Sequence, residues 1–154
     1  MRLKDYITKE LVFVIHGPAY KHAFLRQFVS CIKKIMPAID EEELLGGLME
    51  REEQISTGIG HGVAVPHAIV KSLDRIVCVI AQSPEGVEFQ ALDASPVHVV
   101  FMLMSPPDKR GEHLRLLARI ARLVSNQEFV SRIATAKDAE TVFAVTMDED
   151  GRHV

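Results

Sequence analysis

Cysteine is scarce in this chain. Only Cys31 and Cys78 occur among 154 residues, each inside an apolar pattern with no partner spacing, so both are expected as buried reduced thiols rather than a disulfide or metal pair. Long hydrophobic runs are missing as well. The longest, Ile76–Ala81 and Val97–Met104, fall far short of the ~20 residues that a bilayer-crossing helix needs. Asp5 stands where a signal peptide would be apolar. Membrane insertion and export are therefore not expected, and the location read from the sequence is cytoplasmic. Positive charge is not in surplus either: the formal net charge is −3. Lys33-Lys34 is the nearest thing to a basic stripe and reads as a helix edge, so nucleic acid is not an expected partner. Repeats, low-complexity tracts and Gly/Ser/Pro linkers are absent, which leaves one domain, residues 1–154, with 146–154 read as a polar tail.

Hydrophobic residues make up 47% and charged residues 25% of the chain, an ordinary globular balance that can supply a core. Leu11–Ile15 is a short β-branched and aromatic run closed by Gly17-Pro18, the pattern of a strand. Phe24, Phe28, Ile32 and Ile35 then recur at helical spacing until Pro37. Asp40 followed by Glu43 is a capping-box arrangement, with Glu41 and Glu42 suited to a helix N-terminus. Leu44, Leu45, Leu48 and Met49 form the apolar stripe of that second helix.

A glycine-rich stretch follows, then a brief strand, Val63–Val65, stopped by Pro66. Arg75–Ala81 and Val97–Met104 are apolar on both faces, as strands covered on both sides are. Ser83–Gly86 reads as a turn and Val87–Phe89 as a short edge strand. Beyond Pro106-Pro107 the pattern is helical, with Leu114, Leu117, Ala121 and Val124 on one face. Leu116, Ile120 and Leu123 lie beside them, and two shorter helices follow near Glu128–Ala134 and Asp138–Val145. The fold class is α/β, a mixed sheet sandwiched between helical layers.

Seven histidines are present. His16, His22 and His153 read as surface residues and His98 as a core-edge residue. His67 differs, because Pro66 stiffens its approach and its ring stands where a strand gives way to a loop. Arg51-Glu52, then Ser56-Thr57-Gly58-Ile59-Gly60-His61-Gly62-Val63-Ala64-Val65-Pro66-His67-Ala68, resembles the phosphorylation-site signature of the enzyme IIA family of the sugar phosphotransferase system, fructose/mannitol type. A second block, Gly111-Glu112-His113-Leu114-Arg115-Leu116-Leu117-Ala118, resembles that family's other histidine helix. The likeness runs from about Leu3 to Val145.

The resemblance implies that His67 is the phosphoacceptor through its tele nitrogen and His113 the second imidazole of the site. By the same token Arg51 and Thr57 are the polar residues packed around them. It implies a histidine-containing phosphocarrier protein as donor. The receiver is then a IIB domain in fructose- or mannitol-type uptake, or a regulated target protein. With no IIB or IIC segment in the sequence, the nitrogen-regulatory type is preferred.

A neutral imidazole is nucleophilic near neutral pH, and the loose transition state of phosphoryl transfer asks the protein mainly for positioning and charge support. Backbone N–H groups around Gly58, Gly60 and Gly62 are expected to face the phosphoryl oxygens, and the Thr57 hydroxyl to donate to them or to hold the His67 ring. The free N–H groups of the first turn of the His113 helix favour an anion. Glu112 would repel a phosphate and is expected to face away. His61 is read as an exposed loop residue. No cofactor is expected. Zinc on His61, His67 and His113 is the competing chemistry, but no HExxH pattern and no acid of ligand-like spacing accompany them.

Overall fold

The computed structural model describes residues 1–153. Two short 3₁₀ turns, Leu3–Asp5 and Lys9–Leu11, lead into β1 (Val12–Val14). Helices α1 (Lys21–Ile35) and α2 (Glu41–Gln54) follow. Strands β2 (Gly58–Gly60), β3 (Val63–Ala64), β4 (His67–Ile69), β5 (Val77–Val87) and β6 (Val97–Ser105) complete the sheet. Helices α3 (Arg110–Val124), α4 (Gln127–Ala134) and α5 (Ala139–Arg152) close the chain. The strand order is β1-β5-β6-β3-β2, with β4 also paired to β6. β5 and β6 are antiparallel, whereas β1 runs parallel to β5 and both β3 and β4 run parallel to β6. The sheet is mixed.

One face of this sheet packs Phe24, Phe28, Leu44 and Leu48 of α1 and α2 against Val79, Val100 and Met102. The other packs Leu116, Ile120, Phe129 and Val142 of α3, α4 and α5 against Cys78, Phe101 and Leu103. The strand pleat accounts for the division, since alternate residues of β6 point to opposite faces. This is the helix–sheet–helix sandwich that the continuous hydrophobicity of β5 and β6 requires.

The Asp40 cap forms, its carboxylate accepting the Glu43 N–H at 3.0 Å. Glu43 does not reach back to complete the box; its carboxylate accepts the Lys71 N–H instead. Ser83–Gly86 is not a turn between separate strands. β5 continues through it with a register shift between Gln82 and Val87, Gly86 sits at φ 86°, and Val87 rejoins the ladder opposite Val97. On α3 the buried stripe is His113, Leu116, Ile120, Leu123 and Val124, while Leu114 is 54% exposed. Two apolar stripes lie about one position apart on this helix, and the core takes the one that includes His113. Cys78 is fully buried, which pushes its thiol pKa up, but Cys31 is only half-buried.

The expected polar tail is helix. α5 runs to Arg152 with Thr146, Glu149 and Asp150 buried. Asp150 explains why: its carboxylate accepts from the backbone N–H groups of Leu3 and Lys4 and from the Arg2 and Arg119 guanidinium groups. Burial alone would raise this carboxyl, but those donors outweigh it and hold it below its ordinary value. A depressed carboxyl stabilises the fold above its unfolded pKa and loses that contribution as pH falls through the folded one. Asp150→Asn should lower stability by about 2 kcal/mol at neutral pH, the scale of losing charged hydrogen bonds. In urea titrations the gap to wild type should narrow as the solution is made acid.

Candidate functional site

Strands β3 and β4 are two pieces of one extended segment that runs beside β6. Val63 and Ala64 pair with Val99 and Val100, and His67 to Ile69 pair with Leu103 to Ser105. Between them the ladder breaks at Val65-Pro66, where the Pro66 nitrogen has no proton to give. The Val65 N–H turns to the Thr57 carbonyl at 2.9 Å, and the Pro66 carbonyl accepts the Leu103 N–H. His67 therefore opens a second strand piece rather than a loop, a difference from the sequence expectation. Because paired residues of parallel strands share a face, His67 and Ile69 lie on the side of Leu103 and Ser105, the side covered by α3.

Four groups meet there. The His67 ring donates through Nδ1 to the Val65 carbonyl at 3.0 Å. A carbonyl only accepts, so this bond places the ring proton on Nδ1 and leaves the lone pair on Nε2. Arg51, in the last turn of α2, donates from Nε to that same Nε2 at 3.3 Å and from Nη1 to the Ile55 carbonyl. His113 packs edge-on, its ring centroid 5.2 Å from that of His67 at an interplanar angle of 61°. The His113 Nδ1 lies 2.6 Å from the Ser105 hydroxyl.

Burial lowers the His67 pKa; the Val65 carbonyl partly opposes this, while the Arg51 charge adds to it. Burial also brings His113 down to about 4, with the His67 and Arg110 charges acting in the same direction. Both rings are thus neutral near neutral pH. Beside them is a hollow of about 240 Å³ lined by Arg51, Thr57, Ile59, Val65, His67 and Leu117 among others. A separate hollow of about 280 Å³ lies at the N-terminal 3₁₀ turns, remote in sequence and composition from the histidine pair.

Thr57 reaches neither the His67 ring nor an open anion position. Its N–H and its hydroxyl both donate to the buried carboxylate of Glu52, with Lys21 Nζ 4.0 Å from the same carboxylate. Glu52 was not singled out by sequence reasoning. It acts through a relay in which Glu52 holds Thr57, the Thr57 carbonyl holds Val65, and the Val65 carbonyl holds His67. It stood in the Arg51-Glu52 pair of the first motif block but was given no role, since acids at a helix end are normally solvated.

The glycines also differ from expectation. Gly58 and Gly60 belong to β2 and pair with β3, and the Gly58 N–H goes to Ser56 Oγ. A Cβ on Gly58 would lie 3.0 Å from Ala91 Cβ, so the bare backbone serves close packing on the segment around Ala91. Glu112 does face away: it accepts the Tyr6 hydroxyl at 2.7 Å, and burial together with this bond pushes that phenol up to about 12. His61 is exposed at φ 56° with its N–H on Asp93, and it lines a different hollow with Gln127. Among the described residues no group of three or more His, Cys, Asp and Glu side chains is arranged to hold a metal. No helix among them is long and apolar enough to cross a membrane.

The break in the mixed sheet thus holds His67, with His113 of α3 and Arg51 of α2 brought against it. The family model for the phosphoenolpyruvate-dependent sugar phosphotransferase system, EIIA 2, matches residues 5–148, and the chain belongs to that family. It is 30% identical over 150 residues to the nitrogen regulatory protein of Pseudomonas aeruginosa, covering 96% of each chain. To the fructose-specific EIIA component of Haloferax volcanii it is 27% identical over 133 residues, 86% of each. Among solved structures, nitrogen regulatory protein IIA-Ntr of Neisseria meningitidis superposes with a TM-score of 0.82 at 25% identity, covering 92% of this chain and 97% of that one. The mannitol IIA of Escherichia coli shares the fold, with a TM-score of 0.73 at 21% identity over 90% of this chain and 97% of that one. The protein is a phosphoryl-transfer component of this system.

Proposed function

We propose that this chain accepts a phosphoryl group on Nε2 of His67 from a phosphorylated histidine-containing carrier protein. The observation that carries the reading is the Val65 carbonyl on Nδ1, which leaves Nε2 as the one nucleophilic nitrogen of a neutral ring. The Nε2 lone pair forms the new bond to phosphorus. The donor's P–N bond breaks and its electron pair returns to the donor imidazole, so no proton need be exchanged. The proton stays on His67 Nδ1, donated in a hydrogen bond to the Val65 carbonyl, which stabilises the positive charge of the phosphorylated ring. Arg51 moves from Nε2 to the phosphoryl oxygens, and the His113 ring supplies the second contact.

Within the family we read the chain as the nitrogen-regulatory type, which both the Pseudomonas relative and the Neisseria structure support. The phosphate would add nearly two negative charges beside exposed Ile59 and Ile69. It would weaken binding of a cytoplasmic target that contacts this apolar rim, with a coupling of about 1–3 kcal/mol. A IIB receiver for sugar uptake is the second reading, since fructose and mannitol components are also relatives.

Incubation with the phosphorylated carrier should give one phosphorus resonance of a tele-phosphohistidine, stable in base and lost in acid. A phosphoserine signal would reject the reading. Pull-downs from the native cytoplasm should then recover a partner with the unphosphorylated form that the phosphorylated form releases. Identical partner lists, together with loss of uptake of one sugar in a deletion strain, would select the transport role.

A further inference from the structure

We propose that Ser105 is a positioning residue that donates its hydroxyl proton to Nδ1 of His113 and thereby keeps the His113 ring proton on Nε2. The two site imidazoles then hold opposite tautomers. The assignment rests on the carrier reading for its use, but not for its geometry.

The backbone brings the two residues together. Ser105 ends β6 and lies opposite Ile69, two residues beyond the Leu103–His67 pair, so its side chain shares a face with His67 under α3. His113 lies on the buried stripe of α3 and comes down onto that face. Ser105 is fully buried, and its Oγ lies 2.6 Å from His113 Nδ1.

Which group donates follows from counting protons. Among the described residues the Ser105 hydroxyl has no other hydrogen-bond partner than His113. If His113 donated through Nδ1, the hydroxyl proton would be buried with nothing to accept it, an arrangement that native structures avoid. If the hydroxyl donates, its proton is satisfied and only lone pairs remain, which are less demanding. The buried His113 ring is neutral near neutral pH and carries a single proton. That proton then sits on Nε2, the nitrogen that Ser105 leaves free.

On His67 the arrangement is reversed. The Val65 carbonyl can only accept, so the proton is on Nδ1 and the lone pair on Nε2. One ring is fixed as the nucleophile by a backbone acceptor, and its neighbour is fixed as a hydrogen-bond donor by a side-chain donor. Without Ser105 the second ring could present a lone pair toward the phosphoryl oxygens, and two acceptors would face each other.

The test uses the full chain with nitrogen-labelled histidine, because long-range nitrogen–proton correlation spectra distinguish the two tautomers of each ring. In unphosphorylated wild type, His113 should carry its proton on Nε2 and His67 on Nδ1. Ser105→Ala should shift His113 toward the Nδ1-protonated form and leave His67 unchanged. It should slow phosphoryl uptake roughly 10-fold, as loss of a residue that orients a working imidazole does. The loss should appear in kcat with the KM for the carrier protein unchanged, and Ser105→Thr should restore both the spectrum and the rate. A wild-type His113 protonated on Nδ1 would overturn the assignment whether or not any variant folds. So would Ser105→Ala with wild-type tautomer and rate. Failure of wild-type protein to take up phosphate would strike the carrier reading instead, and the ring spectra would still decide the role of Ser105.

Discussion

His67→Ala should take up no phosphoryl label from a phosphorylated carrier protein, at any time or carrier concentration. The other six histidines offer no substitute. His113 has its Nδ1 bonded to Ser105 inside the core, and His16 and His153 face the carboxylates of Glu85 and Glu149. His98 has its Nδ1 at the Ser83 carbonyl, and His22 and His61 lie exposed on other elements. Loss of the ring removes a half-buried side chain at the mouth of a hollow, so the variant should keep its fold. Circular dichroism and a urea midpoint close to wild type would establish that. Labelling at the wild-type rate would remove His67 from the mechanism. In wild type the loss of uptake on acidification should set in at lower pH than an ordinary histidine would show. Burial depresses the His67 pKa, and the lone pair is lost only when pH falls through that lowered value.

His113→Ala should slow transfer into and out of His67 by about 10²–10³-fold, the scale of removing one preorganised donor from a transferring group. His113 is 6% exposed and bonded to Ser105. Its removal therefore also strands the Ser105 hydroxyl and should cost about 1–3 kcal/mol of stability. The two effects separate cleanly: the double variant with Ser105→Ala should regain stability without regaining rate. Rapid-quench measurements in both directions are the check. An unchanged rate in both would make His113 a purely structural histidine, whatever its effect on the urea midpoint.

Much of this architecture is written locally. Lys21–Ile35 and Glu41–Gln54 follow from apolar spacing, from Pro37 and from the Asp40 cap, all signals that act within one or two helical turns. The sandwich follows from β5 and β6 being apolar on both faces. The features that escaped depend on contacts distant in sequence. α5 extends past Val145 because Asp150 finds Leu3, Lys4 and Arg119, and nothing near Asp150 in the sequence announces them. β5 runs through Ser83–Gly86 because Val97 is there to receive Val87. In the site, His67, His113 and Arg51 were legible from the two motif blocks, and the structure brings them together. Thr57 was placed in the right neighbourhood with the wrong partner, since the Glu52 carboxylate that takes its N–H and hydroxyl is buried only in the folded chain. Ser105 left one faint trace, a lone hydroxyl closing the apolar run Val99–Met104.

Asp150 has a topological consequence as well as an energetic one. By gripping Arg2, Leu3 and Lys4 from the last helix, it makes the domain a nearly closed ring of chain whose first and last segments meet at one carboxylate. Both ends of the described chain are therefore fastened at a single corner of the fold, by one side chain rather than by strand pairing.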